Sequence, residues 1–191
     1  MDAHNNVYIV LSRSNTILSQ AIHLIKGDKY THAALSLDRD LKHMFSFGRR
    51  WTYNPFVGCF RRENLNEGIY KSHVYLPGTV IQVPVSPEQY ESVTHHIDNF
   101  MLDSVDYGYN YWGLFVNLFG NPFGGPLEDN ERFFCSEFVY YVLNGSGVCD
   151  LGLHRGFIRP QDLLRLNGKI IFEGNLMKYH CNPMRVTAIE T

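Results

Sequence analysis

Among the residues able to do covalent chemistry, Cys135 has the most telling setting. It lies in Arg132-Phe133-Phe134-Cys135-Ser136-Glu137-Phe138-Val139-Tyr140-Tyr141-Val142-Leu143, just where an apolar-periodic helix begins. Phe138, Val139, Val142 and Leu143 recur at the spacings that gather side chains on one helical face. A cysteine in the first turn lies near unpaired backbone N–H groups and the positive end of the helix dipole. Such an environment favours thiolate over thiol, and the thiolate is the nucleophile. The commoner fate of a free cysteine is burial as a small apolar residue. A catalytic reading therefore depends on whether the chain supplies a base.

Nine histidines are present. His32 is the one placed in an apolar strand pattern, Tyr30-Thr31-His32-Ala33-Ala34-Leu35-Ser36-Leu37. An imidazole there is ordinarily a satisfied core histidine. A strand histidine facing a helix-start cysteine is also how papain-like sites pair base and nucleophile, whatever the chain order. His95 and His96 stand on a helix with no nearby Cys or second paired ligand, so they read as solvated helix histidines rather than metal ligands.

The composition is that of a soluble globular chain. A chain of 191 residues is enough for one domain with a sizeable core, and 45% hydrophobic against 19% charged residues excludes a disordered chain. Formal net charge is -2 with no long basic run, so a nucleic-acid partner is not expected. Cys59, Cys135, Cys149 and Cys181 form no C-x-x-C pair and are irregularly spaced, which argues against zinc and against a disulfide framework. No metal or organic cofactor is expected. The opening Met1-Asp2-Ala3-His4-Asn5-Asn6 lacks a signal-peptide pattern, and no run of 18 apolar residues occurs. The placement expected is a reducing cytoplasm with free thiols. Oligomeric state is not legible.

The elements that must position Cys135 and His32 follow from periodicity. Val7–Ser12 reads as a buried strand, and Ser14 or Asn15 caps a helix through about Ile25. Tyr30–Leu37 and Lys42–Phe47 are two strands joined by Asp38-Arg39-Asp40, which should pair as a hairpin. From Gly48 to Gly78 the pattern loosens into a long aromatic, partly basic loop. Thr79–Val85 is a strand that Pro84 pushes to an edge or an end. Ser86-Pro87-Glu88-Gln89 opens a helix with the apolar stripe Tyr90, Val93, Ile97, Phe100 and Met101. Gly113–Phe119 is a short apolar helix, and residues 120–130 a surface loop. After the Cys135 helix, Asn144-Gly145-Ser146-Gly147 is a stop signal, Arg159–Leu164 a short helix, Lys169–Gly174 a strand and Met184–Ile189 a last edge strand. The fold class expected is α+β in a single domain, 1–191.

Three segments, Tyr30–Asp38, Met44-Phe45-Ser46-Phe47-Gly48-Arg49 and Phe134-Cys135-Ser136-Glu137-Phe138-Val139, together resemble the circularly permuted NlpC-like branch of the papain superfamily. Its members are bacterial cysteine hydrolases, with the lecithin–retinol acyltransferases as relatives. The resemblance runs from the first strand to about residue 175 and implies a central antiparallel sheet or half-barrel packed against helices, one of them bearing the cysteine. It also implies Cys135 as nucleophile and His32 as general base, in the order that distinguishes this branch from papain.

The third, polar residue of such sites sits on the strand after the histidine strand, which makes Ser46 the candidate. Many relatives carry a stronger acceptor there, such as His or Glu. Ser46 shares a face with His32 only in one register parity, and His43 is the reserve for the other. The backbone N–H of Cys135 is a natural oxyanion donor, with the hydroxyl of Tyr30 or of Tyr107, Tyr109 or Tyr111 as a second. The expected activity is hydrolysis of an amide, in a peptide or a peptidoglycan-derived fragment, by acyl transfer through cysteine. Two alternatives use the same residues: an acyltransferase or lipid-ester hydrolase, with the aromatic segment from Trp51 to Phe60 receiving an acyl chain, and a non-catalytic ligand-binding domain.

Overall fold

A computed structural model describes residues 5–13, 27–49, 58–65, 67, 70, 73–102, 108–109 and 132–179. The expected helix from residue 14 to 25, the helix over 113–119, the loop over 120–130, the aromatic residues 51–57 and the strand over 184–189 lie outside them.

Alternating apolar residues make the strands β1 (Asn5–Ser12), β2 (His32–Ser36), β3 (Met44–Arg49) and β5 (Pro77–Val85), with β4 (Gly58–Glu63) between the last two. Two short strands, β6 (Gly108–Tyr109) and β7 (Arg132–Phe133), and a late strand β8 (Lys169–Asn175) complete an eight-stranded sheet in the order β7-β6-β4-β3-β2-β1-β5-β8. Its long strands pair antiparallel throughout, and only the β6–β7 contact is parallel. Among the described residues the helices are α1 (Pro87–Leu102) and α2 (Cys135–Gly145), the latter followed by short 3₁₀ turns. The class is α+β.

Sheet register gives the two faces different jobs. Ile9 pairs with Leu35 and Ile81, and Leu35 with Phe45, so odd-numbered residues of β1, β2, β3 and β5 share one face. The β3–β4 register pairs Phe47 with Phe60, which switches parity and puts Phe60 on that face as well. There they meet Val93, Ile97 and Phe100 of α1 and Phe138, Val139 and Val142 of α2 in the larger core. Phe47 is its hub, with ring centroids 5.8 Å from Phe100, 5.3 Å from Phe133 and 5.6 Å from Phe138. The even-numbered face of β1 and β2 carries Tyr8, Val10 and Ala34, which join Met44, Leu65, Tyr70, Leu76 and Leu176 in a smaller core.

Local chemistry sets the element ends. Ser86 Oγ accepts from the Gln89 N–H at 3.2 Å while Gln89 Oε1 accepts from the Ser86 N–H at 2.9 Å, a reciprocal capping box for α1. Helix α2 stops at Gly145, and Gly147 follows with φ +64. Gly78 lies where a Cβ would sit 2.5 Å from the Leu11 carbonyl oxygen and 2.4 Å from Leu176 Cδ1, so only glycine fits there.

Three expectations change. The segment after Gly48 contains β4, whose period-2 signal is hidden because Arg61 and Glu63, not apolar residues, alternate with Phe60. Strand β5 is interior, paired with β1 and β8, so the edge alternative falls and the other holds: Pro84 sits near the strand's end, beyond the last β8 partner, Gln82. Met101 leaves the apolar stripe of α1 and is half exposed. Replacing Phe47 by Ala should cost about 3–5 kcal/mol, because a fully buried aromatic hub leaves a cavity its ring neighbours cannot fill. Urea unfolding of the variant against wild type measures this.

Candidate active site

Helix α2 delivers Cys135 as its first residue. Phe134 is the cap residue in extended conformation, and the Phe138 N–H closes the first helical turn on the Phe134 carbonyl at 3.0 Å. The flanking residues are pinned. Ser136 Oγ donates to the Ile158 carbonyl at 2.7 Å, and Glu137 Oε2 accepts from the Phe134 N–H at 3.3 Å. The other Glu137 oxygen lies 3.3 Å from Arg155 Nε, and the Arg155 guanidinium lies over the rings of Phe133 and Tyr141. Cys135, 6% exposed, is thus held by buried contacts on both sides. Cys135 sits in the first turn of the helix, whose N–H groups have no partner inside the helix.

His32 opens β2, with 18% of its side chain exposed. The Cys135 side chain lies close enough to the ring to favour its charged form. The His32 Nε2 lies 3.1 Å from Glu63 Oε2. Burial by itself disfavours a charged imidazole, but the Glu63 carboxylate and Cys135 together outweigh it and push the His32 pKa up to about 10. His32 therefore holds its proton across neutral pH.

Glu63, the last residue of β4, has a side chain only 1% exposed. Burial would keep it neutral; the His32 charge and hydrogen bonds from His32, Ser46 and Tyr70 reverse that and bring its pKa down to about 2. Ser46 Oγ donates to Oε1 at 2.6 Å, and Tyr70 Oη donates to Oε2 at 2.7 Å.

The structure gives Ser46 a different place from the one expected. Even-numbered residues of β2 and β3 do share a face, so Ser46 looks the same way as His32. Its hydroxyl, however, reaches Glu63 rather than the imidazole, and Glu63 is the group that touches the ring. The reserve, His43, is half exposed and bonded to Asp38 at 2.9 Å, outside the cluster. Tyr30 sends its hydroxyl to Glu173 on β8 at 3.2 Å, beside the Lys29–Glu173 ion pair, so that hydroxyl is committed away from Cys135. Tyr109 lies on β6, and its side chain is outside the described residues, as are Tyr107 and Tyr111.

Glu63 and Tyr70 were not among the residues expected. The available signal was a lone Phe60 followed by Arg61-Arg62-Glu63, a strand whose inward positions are ionic. Burial first, and then the Asp150 charge, push the Cys149 thiol up to about 11. Among the described residues no group of three His, Cys, Asp or Glu side chains could hold a metal, and no helix is long and apolar enough to cross a membrane.

No family model, characterised protein or solved structure matches the chain.

The coupled charges make stability depend on pH in a defined direction. His32, raised from 6.5 to about 10, contributes in full below pH 6.5 and loses that contribution as pH rises through 10. Glu63, lowered from 4.5 to about 2, contributes in full above pH 4.5 and loses it as pH falls through 2. The excess stability of wild type over Glu63→Gln should therefore be largest between pH 4.5 and 6.5 and decline on both sides. Urea unfolding of both proteins across pH tests it, and a difference constant with pH would refute the coupling.

Proposed function

We propose that the protein is a cysteine hydrolase working by acyl transfer, with Cys135 as nucleophile, His32 as acid–base and Glu63 as the group that orients the imidazole. The observation that carries this reading is the chain of contacts from Cys135 through the His32 ring to a buried, ionised Glu63. Nucleophile, base and orienting group form the triad logic shared by acyl-transfer enzymes. The order of the residues, strand histidine before helix cysteine, is that of the permuted NlpC-like sequences the chain resembles.

The contacts support the following course of reaction. In this reading Cys135 reacts as a thiolate paired with protonated His32 and attacks the substrate carbonyl carbon. The carbonyl π electrons move to oxygen, where the Cys135 N–H stabilises them. As the tetrahedral adduct collapses, the His32 proton passes to the leaving nitrogen or oxygen and a thioester remains on Cys135. Neutral His32 then takes a proton from water as the hydroxide adds to the thioester carbonyl, and the thiolate departs. Glu63 keeps the ring aligned and stabilises the imidazolium in both half-reactions. The substrate class proposed is an amide in a peptide or peptidoglycan-derived fragment.

Iodoacetamide labelling at pH 6 tests the ion pair, since an ordinary thiol is mostly protonated there. Cys135 should react at least about tenfold faster than a free cysteine, and His32→Ala should remove the advantage. Mass spectrometry after incubation with activated amides and esters should find an acyl group on Cys135 and none on Cys135→Ala. Labelling no faster than that of a simple exposed thiol would sink the enzyme reading and leave ligand binding.

A further inference from the structure

A carboxylate that touches a catalytic imidazole can hold the ring, or it can take the ring's proton. Which it does depends on its other partners. Glu63 has two besides His32, both hydroxyls and both buried. Ser46 on β3 occupies Oε1 at 2.6 Å, while Tyr70, in the connection between β4 and β5, occupies Oε2 at 2.7 Å alongside His32. Ser46 is fully buried and Tyr70 is 4% exposed. Both bonds are short enough to be charge-assisted, as expected of hydroxyls donating to an anion. Tyr70 can serve only as a donor, because burial and the Glu63 charge raise its phenol well above the ordinary range.

We propose that Tyr70 and Ser46 are positioning residues for this site, which clamp Glu63 as an ionised, fixed carboxylate so that the proton needed by the leaving group stays on His32. The proposal rests on the reading of Cys135 and His32 as nucleophile and acid–base. Three strands and a connection each supply a part: His32 from β2, Ser46 from β3, Glu63 from β4 and Tyr70 from residues 64–76. Among the described residues, the other titratable or charged groups around the clamp are Cys135, which faces His32 and acts on Tyr70, and Arg61. Arg61 runs along β4 beside Glu63: a Cβ built on Gly48 would lie 3.3 Å from Arg61 Cδ and 3.4 Å from Glu63 Oε1. Neither Ser46 nor Tyr70 touches Cys135 or the ring in a way that could itself move a proton. Their effect passes through the carboxylate. Without them the buried carboxylate becomes a stronger base, the imidazolium proton shifts toward it, and the thiolate loses its counter-ion.

The Glu63 carboxyl ¹³C resonance, followed with pH, reads the clamp directly. Its midpoint should lie near 2 in wild type and rise by about one pH unit or more in Tyr70→Phe and in Ser46→Ala. Iodoacetamide labelling of Cys135 at pH 6 should slow by roughly three- to tenfold in each. Urea midpoints identify folded variants, and if Tyr70→Phe does not fold, Ser46→Ala reads the other oxygen of the same carboxylate. A Glu63 midpoint unmoved in the folded variant overturns the proposal, and so does a shifted midpoint with wild-type labelling. Slow labelling of wild-type Cys135 would refute the nucleophile itself, and the carboxyl midpoint would still decide whether the hydroxyls clamp Glu63.

Discussion

The Glu63 carboxylate is the constraint around which the candidate site is built. Taking a carboxylate out of water costs several kcal/mol unless other groups replace its hydration. Here His32, Ser46 and Tyr70 replace it, at 3.1, 2.6 and 2.7 Å. Those donors come from separate segments of the chain, so the charge can be accommodated only when β2, β3, β4 and the following connection are all in place. A slip of one residue between β3 and β4 would turn Glu63 to the apolar face and leave the imidazole without its acceptor. The same burial that makes the carboxylate costly also makes its attraction for the imidazolium strong, because little water screens it.

The sheet carries this polar cluster on one face and the core that packs on α2 on the other. One face is aromatic and packs on α1 and α2 through Phe47, Phe60, Phe100 and Phe138. That packing fixes the axis of α2. The position of its first turn is fixed locally, through Ser136 against the Ile158 carbonyl and Glu137 against Phe134 and Arg155. Cys135 and His32 therefore reach one another from two independently rigid supports, an aromatic core on one side and a network of hydrogen-bonded charges on the other. Sites placed on rigid elements hold reacting groups to the small tolerances that acyl transfer needs.

Much of the scaffold was legible because burial and periodicity agree. Val7 to Leu11, Ala33 to Leu35 and Val80 to Val85 are strands whose apolar residues fill one or both cores, and Val93, Ile97 and Phe100 mark the buried stripe of α1. Strand β4 was not legible for the opposite reason. Its inward residues on one face are Arg61 and Glu63, so polarity, the usual sign of solvent, marks an interior position instead. Ser46 lay on the expected face, yet its role could not be inferred from its own strand, since it depends on which residue of β4 comes to rest beside it. Tyr70 follows β4 by a few residues and carries no pattern linking it to a carboxylate.

What the sequence by itself determined was the pair at the centre: a cysteine at the start of an apolar-periodic helix and a histidine within an apolar strand. Helix start and strand membership are local properties, set by spacings that a linear chain displays. The choice of the ring's acidic partner was left to the tertiary structure, as was the commitment of Tyr30 to Glu173 instead of the cysteine. Both are questions of strand register and strand order. Register depends on how many residues the connections absorb, and the parity of that number decides which face a side chain meets. No local pattern in the connections after β2 and β3 encodes it; the joint requirement to bury the aromatic face and to satisfy Glu63 does.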